Sequence, residues 1–374
     1  MKILTISPLL DGTNGWSTNA INIIHGLESL GNTVISVTPA GAGAGTHPIV
    51  PAAMKLYAFP WLAPLAAWRV RNVIRKEQPD VVHIIAEPYA LLTPFFGKAL
   101  RKKVVLTLNG TYAVFPLRQR ILRWFAKHYY KNLHCFICIS KFTQQAVSQR
   151  LGTIDTSLQN HFDQHSHVLH IGIKLPPTPQ FPRNLSDPVK QIVFVGGLKL
   201  RKGVLEAIEA CGAFKNISKT PFILNIVGST TEATWYVEEV QKRIRDLGLQ
   251  DQVRVLGTIS ASELEQQYQQ ADLFLLPSIT DPDNFEGFGI VFIEANAYGV
   301  PCIGPDTSGA AEAISEGISG YRVNPADAAA MAERMRWILD EGRISAEQCR
   351  AWAEEHDTLV KAKELLTIYA KCVA

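Results

Sequence analysis

Cysteine and methionine are scarce in this sequence, and neither sign of charge dominates. Only 6 of the 374 residues are cysteine, too few and too irregularly spaced for a disulfide scaffold, so a reducing, cytoplasmic setting is expected. The 37 basic residues stand against 34 acidic ones, a formal net charge of +3. That balance lacks the basic excess of a dedicated nucleic-acid binder, and no nucleic-acid partner is expected. The most apolar window, Ala52 to Trp68, is interrupted by Lys55, Pro60 and Pro64 and falls short of the roughly 20 residues that span a bilayer. The opening Met1-Lys-Ile-Leu-Thr-Ile-Ser7 is too short for the apolar part of a signal peptide and reads as a first strand. Cys135-Phe-Ile-Cys138 lacks the second pair that would close a four-ligand metal site, and in an apolar strand residues three apart face opposite sides. A structural role and no metal are expected there. The Gly41-Ala-Gly-Ala-Gly45 tract reads as a surface loop.

With 47% hydrophobic and 19% charged residues, the chain has ample material for buried cores, and its length suggests two of them. Apolar runs at Lys2–Ser7, Val34–Thr38, Val81–Ile85, Val104–Leu108 and Phe136–Ile139 alternate with amphipathic stretches. Repeated strand and helix units of this kind predict a parallel sheet covered on both faces. The Pro-rich passage from Leu175 to Arg183 predicts a linker, with the boundary near 176–188. Alternation then restarts with strands at Gln191–Val195, Phe222–Val227, Val253–Leu256, Leu273–Leu276 and Pro301–Gly304. The expected architecture is α/β, two Rossmann-like doubly wound domains, 1–180 and 181–354, facing a central cleft, with a helix at about 355–374 packing back on the first.

The most informative stretch runs from Asp283 to Pro301 and contains Glu286-Gly-Phe-Gly-Ile-Val-Phe-Ile-Glu294. Gly287 and Gly289 allow a tight turn, a helix is predicted from Ile290 to Tyr298, and Gly299 with Pro301 supplies a stop. The amides of a helix start suit a diphosphate, and a carboxylate can accept bonds from two adjacent sugar hydroxyls. An ordinary helix cap with two solvated glutamates is the bland alternative. Against it, Glu294 lies in an apolar helix, where an unpaired carboxylate is costly.

This Glu-x7-Glu spacing resembles the signature of the large two-domain retaining glycosyltransferase family called family 4 or group 1. Val195-Gly-Gly-Leu-Lys-Leu-Arg-Lys-Gly203 is similar to that family's phosphate segment, and Ile226-Val-Gly-Ser229 to its strand end beside the nucleotide. Leu247 to Gly257, Ala271 to Ser278 and Ser308 to Glu312 resemble further blocks in the same order. Segments around Leu30, Gln78 and Leu106 to Tyr112 fit more loosely, so the resemblance covers nearly the whole chain.

The resemblance implies a GT-B fold and transfer of a hexosyl group, with retention, from a UDP- or GDP-sugar to a saccharide, lipid-linked or small-molecule acceptor. It implies no obligatory cofactor or metal. Glu294 would hold the donor ribose and Glu286 the hydroxyls of the transferred sugar, while Lys202, with the amides of Phe288, Gly289 and Ile290, would bind the diphosphate. Gly15, Gly196, Gly197, Arg201, Gly228, Thr258 and Gly287 complete the implied donor site, and Glu286, Lys202 and Asn109 are the residues implied for catalysis. The sequence departs from the family at two of these positions. Gly197 stands where an Arg is usual, with Lys199 or Arg201 as stand-ins, and Asn109 where a His is usual, which removes a proton acceptor near neutral pH. A nucleotide-sugar binding protein of little or no activity, or an epimerase on the same fold, therefore stays open.

Asp11-Gly-Thr-Asn-Gly15 follows the first strand but lacks the GxGxxG spacing of dinucleotide enzymes, and a plain strand-to-helix turn would look the same. From Leu117 to Lys131, helical spacing predicts Arg120, Arg123, Lys127 and Lys131 on one face and Leu117, Ile121, Phe125 and Tyr129 on the other. Such a helix can dock on an anionic membrane surface or acidic acceptor, and Trp61 and Trp68 suit an interface. A core helix with a solvated cationic face is the plainer reading.

Overall fold

The computed structural model describes residues 1–12, 14–40, 46–177, 188–231, 234–281 and 284–373, the side chain of Val373 excepted. The glycine tract at 41–45, most of the predicted linker and Asp283 lie outside the described residues. The chain divides into two compact units: Met1–Lys174 with His356–Ala374, and Leu175–Glu355.

The first unit is built on a seven-stranded sheet: β1 (Lys2–Ile6), β2 (Thr33–Thr38), β3 (Thr46–Pro48), β4 (Val81–Ile84), β5 (Val104–Leu108), β6 (Phe136–Cys138) and β7 (Ser166–Val168). Their spatial order is β3-β2-β1-β4-β5-β6-β7, and every pairing is parallel. β1, β4 and β5 are almost wholly apolar because helices cover both faces, as a parallel sheet requires. β3 and β7 are new relative to the sequence reading. Each is three residues long, half-exposed and polar, so neither shows the apolar run that marks a buried strand.

The second unit carries six parallel strands: β8 (Lys190–Val195), β9 (Phe222–Val227), β10 (Val253–Gly257), β11 (Leu273–Leu275), β12 (Cys302–Pro305) and β13 (Gly320–Val323). Their order is β10-β9-β8-β11-β12-β13. In both sheets the order reverses direction beside the first strand, between β1 and β4 and between β8 and β11. Ligands of open α/β sheets bind outside the carboxyl ends of the strands at such a switch point.

The last helix, Thr358–Val373, returns to the first unit and packs along the Gly15–Ser29 helix, where the backbone of Thr358 and the Ala362 side chain lie against Gly26. Its Tyr369 is fully buried and shares a hydrogen bond of 2.6 Å with His83 Nδ1, while His83 Nε2 shares one of 2.7 Å with Thr107 Oγ1. Burial alone holds the His83 imidazole down at about 3, so it stays neutral and links strand to strand to helix.

Two corrections follow. Cys135 is disulfide-bonded to Cys372 of the returning helix, 237 positions away, with Cα atoms 5.7 Å apart. Spacing along the chain cannot reveal a pair that only the helix return creates, so the reading of cysteines in a reducing setting does not anticipate this bridge; Cys138, Cys211, Cys302 and Cys349 are buried and outside any disulfide. The predicted basic helix is also broken at Gln119, into Thr111–Arg118 and Arg120–Asn132. Arg123 is spent on the break, where its guanidinium donates to the carbonyls of Leu117 and Arg118. Ile121 belongs to the outer face, 67% exposed beside Trp124 at 61%, and the buried stripe is Leu122, Ala126, Tyr129 and Tyr130.

Candidate functional site

Nearly all the residues singled out in the second unit gather at the carboxyl edge of its sheet. Gly196 and Gly197 follow β8, Gly228 follows β9, Thr258 follows β10, and the Glu286 to Gly289 turn follows β11. Two glycines here, Gly228 and Gly203, are required sterically. Gly228 has φ +152°, and a Cβ there would stand 2.1 Å from Gly196 O, while its N–H donates to Gly257 O and ties the three strand ends together. Gly203, at φ +73°, would place a Cβ 1.9 Å from Pro277 O, so the turn that carries Arg201 and Lys202 admits no side chain.

That turn aims two cations at one carboxylate. Arg201 Nη1 and Lys202 Nζ each donate to Glu286 Oε2 at 2.7 Å. Burial pushes Glu286 up, but the charges and hydrogen bonds of Lys202 and Arg201 overcome it and hold the carboxyl at about 2. Gly289 follows in the left-handed region at φ 76° and opens the Ile290–Ala297 helix, whose first amides have no partner within the helix. Gly287, Phe288 and Gly289 are buried.

Glu294 lies one turn into this helix, half-buried, and accepts a hydrogen bond of 3.2 Å from the Tyr268 hydroxyl. Burial raises its carboxyl above the usual range, with the Tyr268 bond opposing. Glu286 and Glu294 are thus held by different partners, one by two cations and one by a phenol. Thr258 is exposed at the rim. Gly197 has room: the nearest neighbours of an added Cβ would be Lys199 Cε at 3.6 Å and Ser229 O at 3.9 Å, ordinary contact distances.

The first unit presents its own cluster at the corresponding edge. Gly15 opens a helix capped by Asn14, whose side chain accepts from Ser17 N, and Ser17 Oγ accepts from the amides of Asp11 and Gly12. Asn109, just beyond β5, has its side chain already engaged. Its oxygen accepts from Asn19 Nδ2 at 3.0 Å, and its Nδ2 donates to Ile85 O at 2.8 Å and Glu87 Oε2 at 3.3 Å. Its backbone N–H donates to Glu87 Oε1. These bonds fix Asn109 within a network with Asn19, Ile85 and Glu87. Glu87 was missed by sequence reasoning; it is fully buried, and desolvation raises its carboxyl to about 7 against the pull of its bonds with Asn109 and Trp16. The signal available was a lone carboxylate within the apolar stretch Ile84-Ile-Ala-Glu-Pro-Tyr-Ala90. Of the four basic residues named for acceptor or membrane contact, Arg120, Lys127 and Lys131 are exposed and Arg123 is not free.

Two parallel-sheet units, each with a glycine turn and polar side chains at its carboxyl edge, define the GT-B glycosyltransferase architecture. Solved structures share it over the whole chain: HepE of Anabaena in complex with UDP aligns at TM-score 0.76 and 18% identity, covering 99% of this chain and 100% of that one. A glycosyltransferase from Rickettsia africae aligns at TM-score 0.74 and 21% identity, covering 100% and 98%. The chain belongs to the group 1, or family 4, glycosyltransferases: residues 178–356 match the family model "Glycosyl transferases group 1" and residues 13–158 match "Glycosyltransferase Family 4". Among curated relatives, a glycogen synthase of Mycobacterium tuberculosis is 23% identical over 94% of this chain and 89% of its own. A GDP-mannose-dependent alpha-mannosyltransferase of Corynebacterium glutamicum is 27% identical over 82% and 70%.

Proposed function

We propose that the protein is a retaining hexosyltransferase that uses a UDP- or GDP-sugar and a saccharide, lipid-linked or small-molecule acceptor, with no obligatory metal. The observation that carries this reading is the pair of cations, Arg201 and Lys202, converging on Glu286 beside the glycine turn. A donor diphosphate entering there competes for both cations and takes the carboxylate's place. Glu286 is then released to accept hydrogen bonds from sugar hydroxyls, and Glu294 accepts from the ribose. Cleavage of the sugar–phosphate bond builds charge on the leaving diphosphate, which Lys202, Arg201 and the helix amides meet preorganised. Retention follows from same-face attack, with the leaving phosphate taking the acceptor proton, so no carboxylate nucleophile is needed. Support for a nucleoside-diphosphate donor comes from HepE bound to UDP and UDP-glucose and from the GDP-mannose-dependent relative.

Binding without turnover is the second reading, favoured by Gly197 and by the engagement of Asn109 with Asn19 and Glu87. Among the described residues no helix is long and apolar enough to cross a membrane. The exposed Trp124 and Ile121 beside Arg120, Lys127 and Lys131 support peripheral contact with an anionic membrane surface from the cytoplasmic side.

Thermal-shift titration with UDP, GDP and ADP, repeated on Glu294→Ala, tests the donor site. A ligand at 100 times its Kd adds about 2.7 kcal/mol to the folded state. A shift with one base that falls to about half in the variant supports the reading, and no shift with any nucleotide overturns it. Transfer to an added acceptor then separates enzyme from binder.

A further inference from the structure

The first unit carries three imidazoles that the glycosyltransferase reading leaves unused. His161 and His165 sit one turn apart on the Thr156–His165 helix, and His134 precedes β6. The ring centroids lie 5.2 Å apart for His134 and His161, 5.0 Å for His134 and His165, and 4.2 Å for His161 and His165. One ring nitrogen from each lies within 4.8 Å of the others.

Their hydrogen bonds assign the tautomers. His161 Nε2 is 2.8 Å from Leu133 O, and His165 Nδ1 is 2.7 Å from His161 O. A carbonyl only accepts, so each of those nitrogens carries the proton. In the neutral rings His161 Nδ1 and His165 Nε2 are then lone-pair donors. This is the arrangement of metal-ligating histidines, in which the second nitrogen donates to a carbonyl and fixes the ring. His134 Nδ1 donates to His165 Nε2 at 3.4 Å; an ion would take the place of that proton, with His134 in its other tautomer, and the separation is close to that of two nitrogens each about 2.1 Å from one tetrahedral ion.

We propose that His134, His161 and His165 bind one divalent transition-metal ion of the zinc class, with water in the fourth position. Three neutral imidazoles without a carboxylate suit zinc, copper or nickel and do not suit calcium or magnesium, which demand oxygen. The ion would tie the end of the Thr156–His165 helix to the start of β6. Cys135, Cys372 and His167 form a second, neighbouring trio, whose sulfurs are joined to each other.

The test is a titration of tag-free, full-length, non-reduced protein with Zn2+ in competition with a chromophoric chelator, paired with the visible spectrum of bound Co2+. The expected result is one equivalent bound, with tetrahedral Co2+ bands, and an affinity that falls at least tenfold in both His165→Gln and His134→Gln. His134 is exposed, so its replacement guards against loss of fold. His167→Gln should bind as the parent does. No saturable binding, binding indifferent to His134 and His165, or binding lost only in His167→Gln overturns the proposal. Nucleotide affinity, measured alongside, is expected to be the same in all variants, so failure here is distinct from failure of the donor site.

Discussion

Lys202 Nζ donates to Glu286 Oε2 at 2.7 Å, and Arg201 shares that same oxygen. Both cations are therefore occupied by an internal anion, and on the proposed reading a donor diphosphate competes for them. Replacing Lys202 by Ala leaves only Arg201 on the carboxylate. Turnover is expected to fall by about 10²- to 10³-fold, the usual cost of removing one preorganised donor, with a smaller change in KM. Glu286→Gln removes the competitor, so UDP or GDP alone should bind at least as tightly as to the parent while transfer is lost. Steady-state kinetics and nucleotide calorimetry read both, and unchanged turnover in the two variants counts against the assignment.

Glu294 is expected to act through binding. Its partner Tyr268 keeps it in place without a cation, and Glu294→Ala should weaken nucleotide binding by about tenfold, the worth of one hydrogen bond to a charged group at the low end of its range. The same variant should lose less in kcat than Lys202→Ala. If instead nucleoside diphosphate binds the variant as it binds the parent, the ribose is held elsewhere.

His83 and Glu87 should oppose each other in the pH dependence of stability. Burial lowers His83 from 6.5 to about 3, so the unfolded chain takes up a proton that the native one refuses. That contribution is complete above about 6.5 and is lost as the pH falls. Burial raises Glu87 from 4.5 to about 7, so the native chain keeps a proton that the unfolded one releases. That contribution is complete below about 4.5 and is lost as the pH rises through 7. Between pH 5 and 6.5 the two nearly cancel. His83→Gln should expose stability falling with rising pH, and Glu87→Gln stability falling with falling pH, each with a slope of up to about 1.4 kcal/mol per pH unit. Urea unfolding at several pH values in that window checks the signs. Slopes of the same sign in both variants would refute the pairing.

Gly197→Arg is expected to be tolerated and to gain affinity. An added Cβ meets nothing closer than 3.6 Å, and a guanidinium there adds a charge-assisted hydrogen bond to phosphate worth about 1.5–3 kcal/mol, roughly 10- to 100-fold in nucleotide Kd. Calorimetry with UDP and GDP measures it. A folded variant with unchanged affinity would mean that this turn does not face the phosphates. Gly203→Ala is the contrasting control, expected to destabilise because its Cβ would overlap Pro277 O.

The sequence by itself determined the repeated strand and helix units, the glycine turns and the Glu-x7-Glu helix, because these are local matters. Apolar runs, turn chemistry and spacing act over a few residues and leave a pattern that can be read directly. The family resemblance also implied Lys202 and Glu286 for catalysis, with Arg201 in the donor site. Tertiary structure alone decided that both cations share one carboxylate oxygen, that Asn109 is held by Asn19 and Glu87, and that Tyr268 partners Glu294. It also decided that the last helix returns to bury Tyr369 against His83 and join Cys372 to Cys135. Those relationships link residues from 22 to 286 positions apart. They depend on which strand ends and helices the sheet order makes neighbours, and periodicity along the chain carries no record of that.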